Sequence, residues 1–149
     1  MSHVEEIVLD INDLDCLKEA ATHFGMELVE QKTYKWFGRS VGDYPIPEGF
    51  TASDLGKCDY ALRIPGNSKA YEVGVVARKD GKPGYKLLWD FWQGGYGLRE
   101  KIGEKGKKLK QEYGVALAIK HQRRKGLRCS RFEQENGDVV VKGVMRGAI

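Results

Sequence analysis

The chain is poor in the residues that catalytic and metal sites most often use. It holds three cysteines, Cys16, Cys58 and Cys129, and three histidines, His3, His23 and His121, all far apart along the chain. An odd, scattered cysteine set argues against a disulfide framework and for a reducing compartment, the cytoplasm or one like the plastid stroma. No Cys-x-x-Cys is present, and a zinc site would need ligands to converge from distant segments, so neither metal nor cofactor is expected. No apolar run approaches the ~20 residues that span a bilayer. The acidic, polar opening MSHVEEIVLD is unlike a secretory signal, so no membrane partner is expected. Also missing are Gly-x-x-x-x-Gly-Lys-Ser/Thr, His-Glu-x-x-His, a Ser/His/Asp set and telling carboxylate pairs, which removes the commonest hydrolytic and nucleotide-binding signatures.

What is present describes one globular domain. A chain of 149 residues and 16.8 kDa, with 41% hydrophobic and 31% charged residues, is ordinary for a folded protein and unlike a disordered or collagen-like one. The net charge of +4 hides an asymmetry. Residues 91–149 carry 14 Lys and Arg against 6 Asp and Glu, and residues 1–90 carry 11 against 15. The halves are therefore +8 and −4, which directs attention to anionic partners.

Element signals alternate along the chain. Glu5 to Ile11 reads as a strand, followed by a helix capped by Asn12 or Asp13, with Leu14, Leu17, Ala20, Ala21 and Phe24 at helical spacing. Gly25 ends that helix, and Met26 to Lys35 reads as a second strand. Residues 38–56, with Gly38, Gly42, Pro45, Pro47 and Gly49, read as an irregular loop of unusual length. A meander follows: Asp59–Ile64, Ala70–Arg78 and Tyr85–Phe91, separated by Pro65-Gly66-Asn67 and by Asp80-Gly81, a type I′ hairpin signal. The spacing of Leu98, Ile102, Leu109, Tyr113, Ala116 and Leu117 predicts one long helix from Leu98 to Lys125, weakened at Gly103 and Gly106. Gly126 stops it. Leu127–Phe132, Asn136-Gly137 and Val139–Met145 complete a C-terminal β-hairpin. This order implies an α+β fold over residues 1–149, an antiparallel sheet with two helices packed on one face, of ferredoxin-like flavour.

Four constellations invite a functional reading. Lys101, Lys105 and Lys108 fall at i, i+4 and i+7 of the expected helix. Arg123, Arg124, Lys125 and Arg128 follow at its end. Such arrays bind phosphate backbones by releasing counterions, but cations near a helix C-terminus are also favoured by the macrodipole. In LLWDFWQGGYG, Trp89 and Phe91 suit a core, and Trp92 is the candidate to stack an unpaired base. Asp90, beside Gly94, Gly95 and Gly97 ahead of a helix, is the one enzyme-like pairing, although the spacing matches no phosphate loop.

Several segments together resemble a known family. These are Met1-Ser2-His3, DLDCLKEAATHFG, DYALRIPGNSKAYEVGVV with Tyr71-Glu72-Val73-Gly74, YKLLWDFW with Trp89-Asp90, Gln111-Glu112-Tyr113-Gly114, Gly126 and Gly137-Asp138. Their order resembles the conserved chloroplast and cyanobacterial open reading frame family thirty-five, domain of unknown function twelve fifty-seven, which has bacterial and phage members. The resemblance covers most of the chain outside residues 34–56. Tyr34–Lys57 departs from the family's shorter link, and KIGEKGKKLK is more basic than the family usually shows. The resemblance implies a compact domain with no assigned activity, so no catalytic residue is carried over. Family members are often found near AAA-type ATPases, which implies an accessory role. The expectation is a non-enzymatic binding module that contacts DNA or RNA through Lys101, Lys105, Lys108, Arg123, Arg124, Lys125, Arg128 and Trp92. The alternatives are a protein–protein adaptor or self-associating module and, behind it, an enzyme using Asp90 and the 94–97 loop.

Overall fold

A computed structural model describes residues 3–39 and 44–145. In chain order the elements are β1 (Val4–Ile11), α1 (Leu14–His23), β2 (Glu27–Glu30), β3 (Tyr60–Arg63), β4 (Val73–Ala77) and β5 (Tyr85–Asp90). They continue with α2 (Leu98–Ile102), α3 (Lys107–Arg124), β6 (Leu127–Glu133) and β7 (Val139–Met145). The fold is α+β. Five strands form one antiparallel sheet in the order β1-β5-β4-β3-β2. β6 and β7 form a separate antiparallel hairpin. The meander β2 to β5 is thus closed by the first strand, and α1 carries the chain from one sheet edge to the other.

Local chemistry sets the helix ends. Asp13 is the N-cap of α1, and its carboxylate accepts from the Cys16 amide at 3.0 Å. Gly25 follows the helix at φ +71°, the left-handed position a Cβ disfavours. The helices bury their apolar stripes on one sheet face. Ile7, Ile11, Val73, Val75, Leu87 and Trp89 meet Leu17, Ala20 and Ala21 of α1, Leu98 and Ile102 of α2, and Leu109, Tyr113 and Ala116 of α3. Leu117, placed in that stripe by its spacing, is instead exposed.

The long helix expected from Leu98 to Lys125 is broken. Gly103 lies at φ 83°, ψ 169°, outside any helix, and Lys105 and Gly106 have φ of 54° and 73°. Close packing explains why glycine stands at 106: a Cβ there would lie 2.7 Å from Ile7 Cγ2.

The irregular segment after β2 is a second cover for the sheet. The expected strand Met26–Lys35 stops at Glu30, because the chain turns to cross the face opposite the helices. Tyr34, Leu55 and Cys58, with partly buried Trp36 and Phe50, pack there on Val4, Ala61, Val76 and Leu88. Two backbone bonds pin the base of this crossing, Tyr34 N–H to Gly56 O and Cys58 N–H to Lys32 O, both 2.9 Å. The Tyr34 ring lies over Gly74, where a Cβ would come within 2.3 Å of Cδ1. The part of the expected loop at residues 40–43 lies outside the described residues.

Both hairpin signals produce longer connections than type I′ turns. Only Gly81 of Asp80-Gly81 and only Gly137 of Asn136-Gly137 has positive φ, whereas type I′ needs two. Arg78 N–H to Gly84 O (3.0 Å) closes the first, and the Asp80 carboxylate is drawn to Arg78 instead, at 2.6 Å. Gln134 N–H to Asp138 O (2.8 Å) closes the second.

Candidate functional site

Asp90 stands at the end of β5 with no solvent exposure. Its Oδ1 accepts from the backbone amides of His3 and Trp92, each at 3.0 Å, and its Oδ2 from the Phe37 amide at 3.1 Å. One carboxylate therefore joins the N-terminal strand, the turn after β5 and the segment crossing the second face. Burial and three accepted amide bonds give Asp90 this structural role, one that sequence reading did not consider beside the catalytic alternative.

The glycine loop beside it is likewise used for packing. Gly94 N–H donates to Phe91 O at 2.9 Å, and Gly95 O accepts from Tyr71 at 2.9 Å. A Cβ on Gly95 would meet Leu98 Cβ at 3.0 Å. Gln93 and Tyr96 hold φ of 52° and 53°, so the chain coils tightly here instead of presenting a row of amides. The helix it enters, α2, has only five residues.

Trp92 is half-buried in an aromatic group. Its ring meets His3 edge-on at 5.2 Å, and His3 also contacts Phe91 (5.5 Å) and Tyr44 (5.4 Å). Trp89 lies in the helix-facing core as expected, 1% exposed, with Nε1 donating to Glu5 at 3.0 Å.

The seven candidate cations form two groups. Lys101 is on α2, near the end of α1, with Nζ 3.8 Å from where a Gly25 Cβ would stand. Lys105 sits in the left-handed turn and Lys108 in the first turn of α3, its Nζ 3.5 Å from Glu100 O. The helix break removes the shared face expected for these three. Glu100 and Glu104 are interleaved with them, and Glu104 pairs with Arg99 at 3.6 Å.

The second group is at the opposite end of α3, ~24 Å away at 1.5 Å per residue between Lys108 and Arg124. Arg123 and Arg124 lie in the last turn of α3, Lys125 caps it, and Arg128 is the second residue of β6. All four are exposed, and among the described residues none is within ion-pair distance of a carboxylate. The nearby cations that do pair are distinct. Lys120 bonds Asp13, which pulls the Asp13 carboxyl below its ordinary range and raises the lysine. Arg131 forms a bidentate pair with the buried Glu112 at 2.8 and 2.9 Å, raising the guanidinium pKa and fastening the hairpin to α3. No Asp or Glu occurs between Glu112 and Glu133, a stretch with six cations. Asp15 and Glu19 of α1 share an open groove of about 370 Å³ with Arg123 and Arg124.

The two buried thiols are not poised for chemistry. Burial pushes Cys16 up to about 11 and Cys58 up to about 12, which keeps both protonated near neutrality. Among the described residues, no three His, Cys, Asp or Glu side chains converge as a metal would require, and no helix is long and apolar enough to cross a membrane.

Sequence reasoning missed the Asp90 clamp, the Arg131–Glu112 pair and the outer face of the C-terminal hairpin. The last had a readable signal, the two-residue alternation of Arg128, Ser130 and Phe132 opposite Val140, Lys142 and Val144. No family model, curated protein or solved structure matches this chain.

Proposed function

We propose that this protein is a non-enzymatic accessory module that binds nucleic acid through its phosphates, using the surface where α3 passes into β6. The observation that carries this reading is the group Arg123, Arg124, Lys125 and Arg128, exposed, free of ion pairs with the described residues and embedded in a stretch without a carboxylate. Cations at a helix C-terminus are favoured by the macrodipole, which accounts for Arg123, Arg124 and Lys125 but not for Arg128, which lies in a strand. Lys101, Lys105 and Lys108 are too distant to belong to the same contact. Trp92, held against His3, is not its stacking residue.

Contacts of this type position a nucleic-acid backbone without reading sequence. Four neutralised phosphates on a single strand give a log–log salt slope of about −2.8, a loss of about 50-fold between 50 and 200 mM salt. Fluorescence anisotropy of labelled oligonucleotides across that range tests the reading. Binding with a slope near this value is expected, weakened and flattened when Arg123, Arg124, Lys125 and Arg128 are changed to Glu. Failure to bind at about 50 mM salt, or binding indifferent to those changes, overturns it.

A further inference from the structure

Resting on that reading, we infer that the nucleic acid is single-stranded and that Phe132, on the outer face of the β6–β7 ribbon, stacks an unpaired base beside the contacted phosphates. The two faces of the ribbon are chemically different. Cys129 and Arg131 point to α3, where Cys129 Sγ lies 3.7 Å from Ile119 O and Arg131 grips Glu112. Gly143 faces α3 as well: a Cβ there would stand 2.8 Å from Gln122 Oε1. The register pairs Cys129 with Gly143 and Arg131 with Val141, so Arg128, Ser130 and Phe132 with Val140, Lys142 and Val144 occupy the other face.

That outer face carries no acidic residue. Arg128 and Lys142 are exposed cations, and Phe132, 50% exposed, lies in the next row beyond Lys142, on the side away from Arg128. Lys142 Nζ sits 5.2 Å from the Phe132 ring centroid. A cation held over the face of a half-exposed ring marks that face as one that attracts a partner: a flat base can take the lysine's place there while the ammonium moves to the phosphate next to it. Duplex DNA hides its bases from such a ring, whereas a single strand presents them. The face is continuous with the phosphate-contacting group, because Lys125 and Arg128 are separated only by Gly126 and Leu127. The ribbon is also held in a fixed pose. Gln111 Nε2 donates to Gly137 O at 2.9 Å near the tip, and Arg131 clasps Glu112 nearer the middle.

The test compares labelled single-stranded and duplex oligonucleotides of one mixed sequence, bound at 50 mM salt to the full chain and to Phe132→Leu and Phe132→Trp. Losing one stacked base weakens binding roughly 5- to 150-fold. We expect that loss for single strands with Phe132→Leu, an unchanged salt slope, little change for duplex, and recovery with Phe132→Trp. Single-strand affinity within about twofold of the parent in both variants overturns the stacking assignment while leaving phosphate binding intact. Equal losses for single strand and duplex do the same. Absence of binding by the parent chain to either form overturns both readings together. Because Phe132 is half exposed, circular dichroism of the variants matching the parent is the expected control. If Phe132→Leu does not fold, Lys142→Gln carries the same comparison, and a selective loss of single-strand affinity supports the site.

Discussion

Replacing Asp90 with Asn tests whether one carboxylate ties three segments together. The exchange keeps size and shape but removes the charge and one acceptor. The amide oxygen can still accept from His3 and Trp92, but its –NH2 then faces the Phe37 amide, donor against donor. The alternative flip sacrifices two bonds to save one, so the first arrangement is the cheaper. A hydrogen bond to a charged acceptor contributes about 1.5–3 kcal/mol, and leaving a buried donor without a partner costs about 1–3 kcal/mol. These figures describe the same lost contact and do not add, so the expected penalty is about 2 kcal/mol. For a domain of this size that lowers Tm by about 4–8 °C. Urea unfolding followed by tryptophan fluorescence reads the penalty, with Asp15→Asn as a surface comparison. Amide hydrogen exchange reads its location: Phe37 is expected to lose protection while β6 and β7 keep theirs. An Asp90→Asn chain within about 0.5 kcal/mol of the parent refutes the clamp, since surface changes fall in that range. So does a destabilised chain whose Phe37 amide stays protected.

Three further outcomes follow from the packing. Burial raises Cys58 to about 12 and Tyr34 to about 12 under the second-face cover, from ordinary values of 9.0 and 10.0. Above pH ~9 the unfolded chain ionises first, so stability is full below that pH and falls as pH rises towards 12. Cys58→Ala is expected to flatten the stability curve over that window in chemical unfolding at stepped pH; an unchanged curve counts against burial as the cause. Gly74→Ala pushes a methyl into the Tyr34 ring and is expected to cost about 1–3 kcal/mol. Pairing it with Tyr34→Leu should recover part of that loss in a double-mutant cycle, whereas full additivity would place the two apart. Arg131→Ala strands the buried Glu112 carboxylate, for which breaking such a pair costs about 3–5 kcal/mol. Because Arg131 is about one-third exposed and His23 Nε2 is 3.5 Å from Glu112, the loss should lie near or below the lower figure, with hairpin amides exchanging first. Uniform exchange would point to a global defect instead.

Local signals were legible in the sequence where the cause is itself local. The Asp13 cap, the Gly25 and Gly126 stops, the meander and the C-terminal hairpin each depend on a few adjacent residues. The break between α2 and α3 was half visible, in Gly103 and Gly106, but the apolar spacing runs on through it and suggested one helix. The cover over the second face left no periodic trace, because Tyr34, Trp36, Phe50, Leu55 and Cys58 follow neither a helical nor a strand interval. The Asp90 clamp was invisible for a different reason: its partners are backbone amides, which every residue but proline possesses. For the candidate site, all the cations were readable, but their division between two ends of α3 depended on the helix break.

The pairing of β1 with β5 has a consequence for how the chain acquires its structure. Val4 lies opposite Asp90, so the outermost strand at that edge is joined by residues 86 positions apart. The strands β2 to β5 pair with near neighbours and can form early, while β1 must be captured across a long loop whose closure entropy is lost first. Since β1 also supplies Ile7 to the seat of Gly106, α3 has no complete surface to dock on until that capture occurs. Synthesis from the N-terminus therefore delivers β1 first and uses it late.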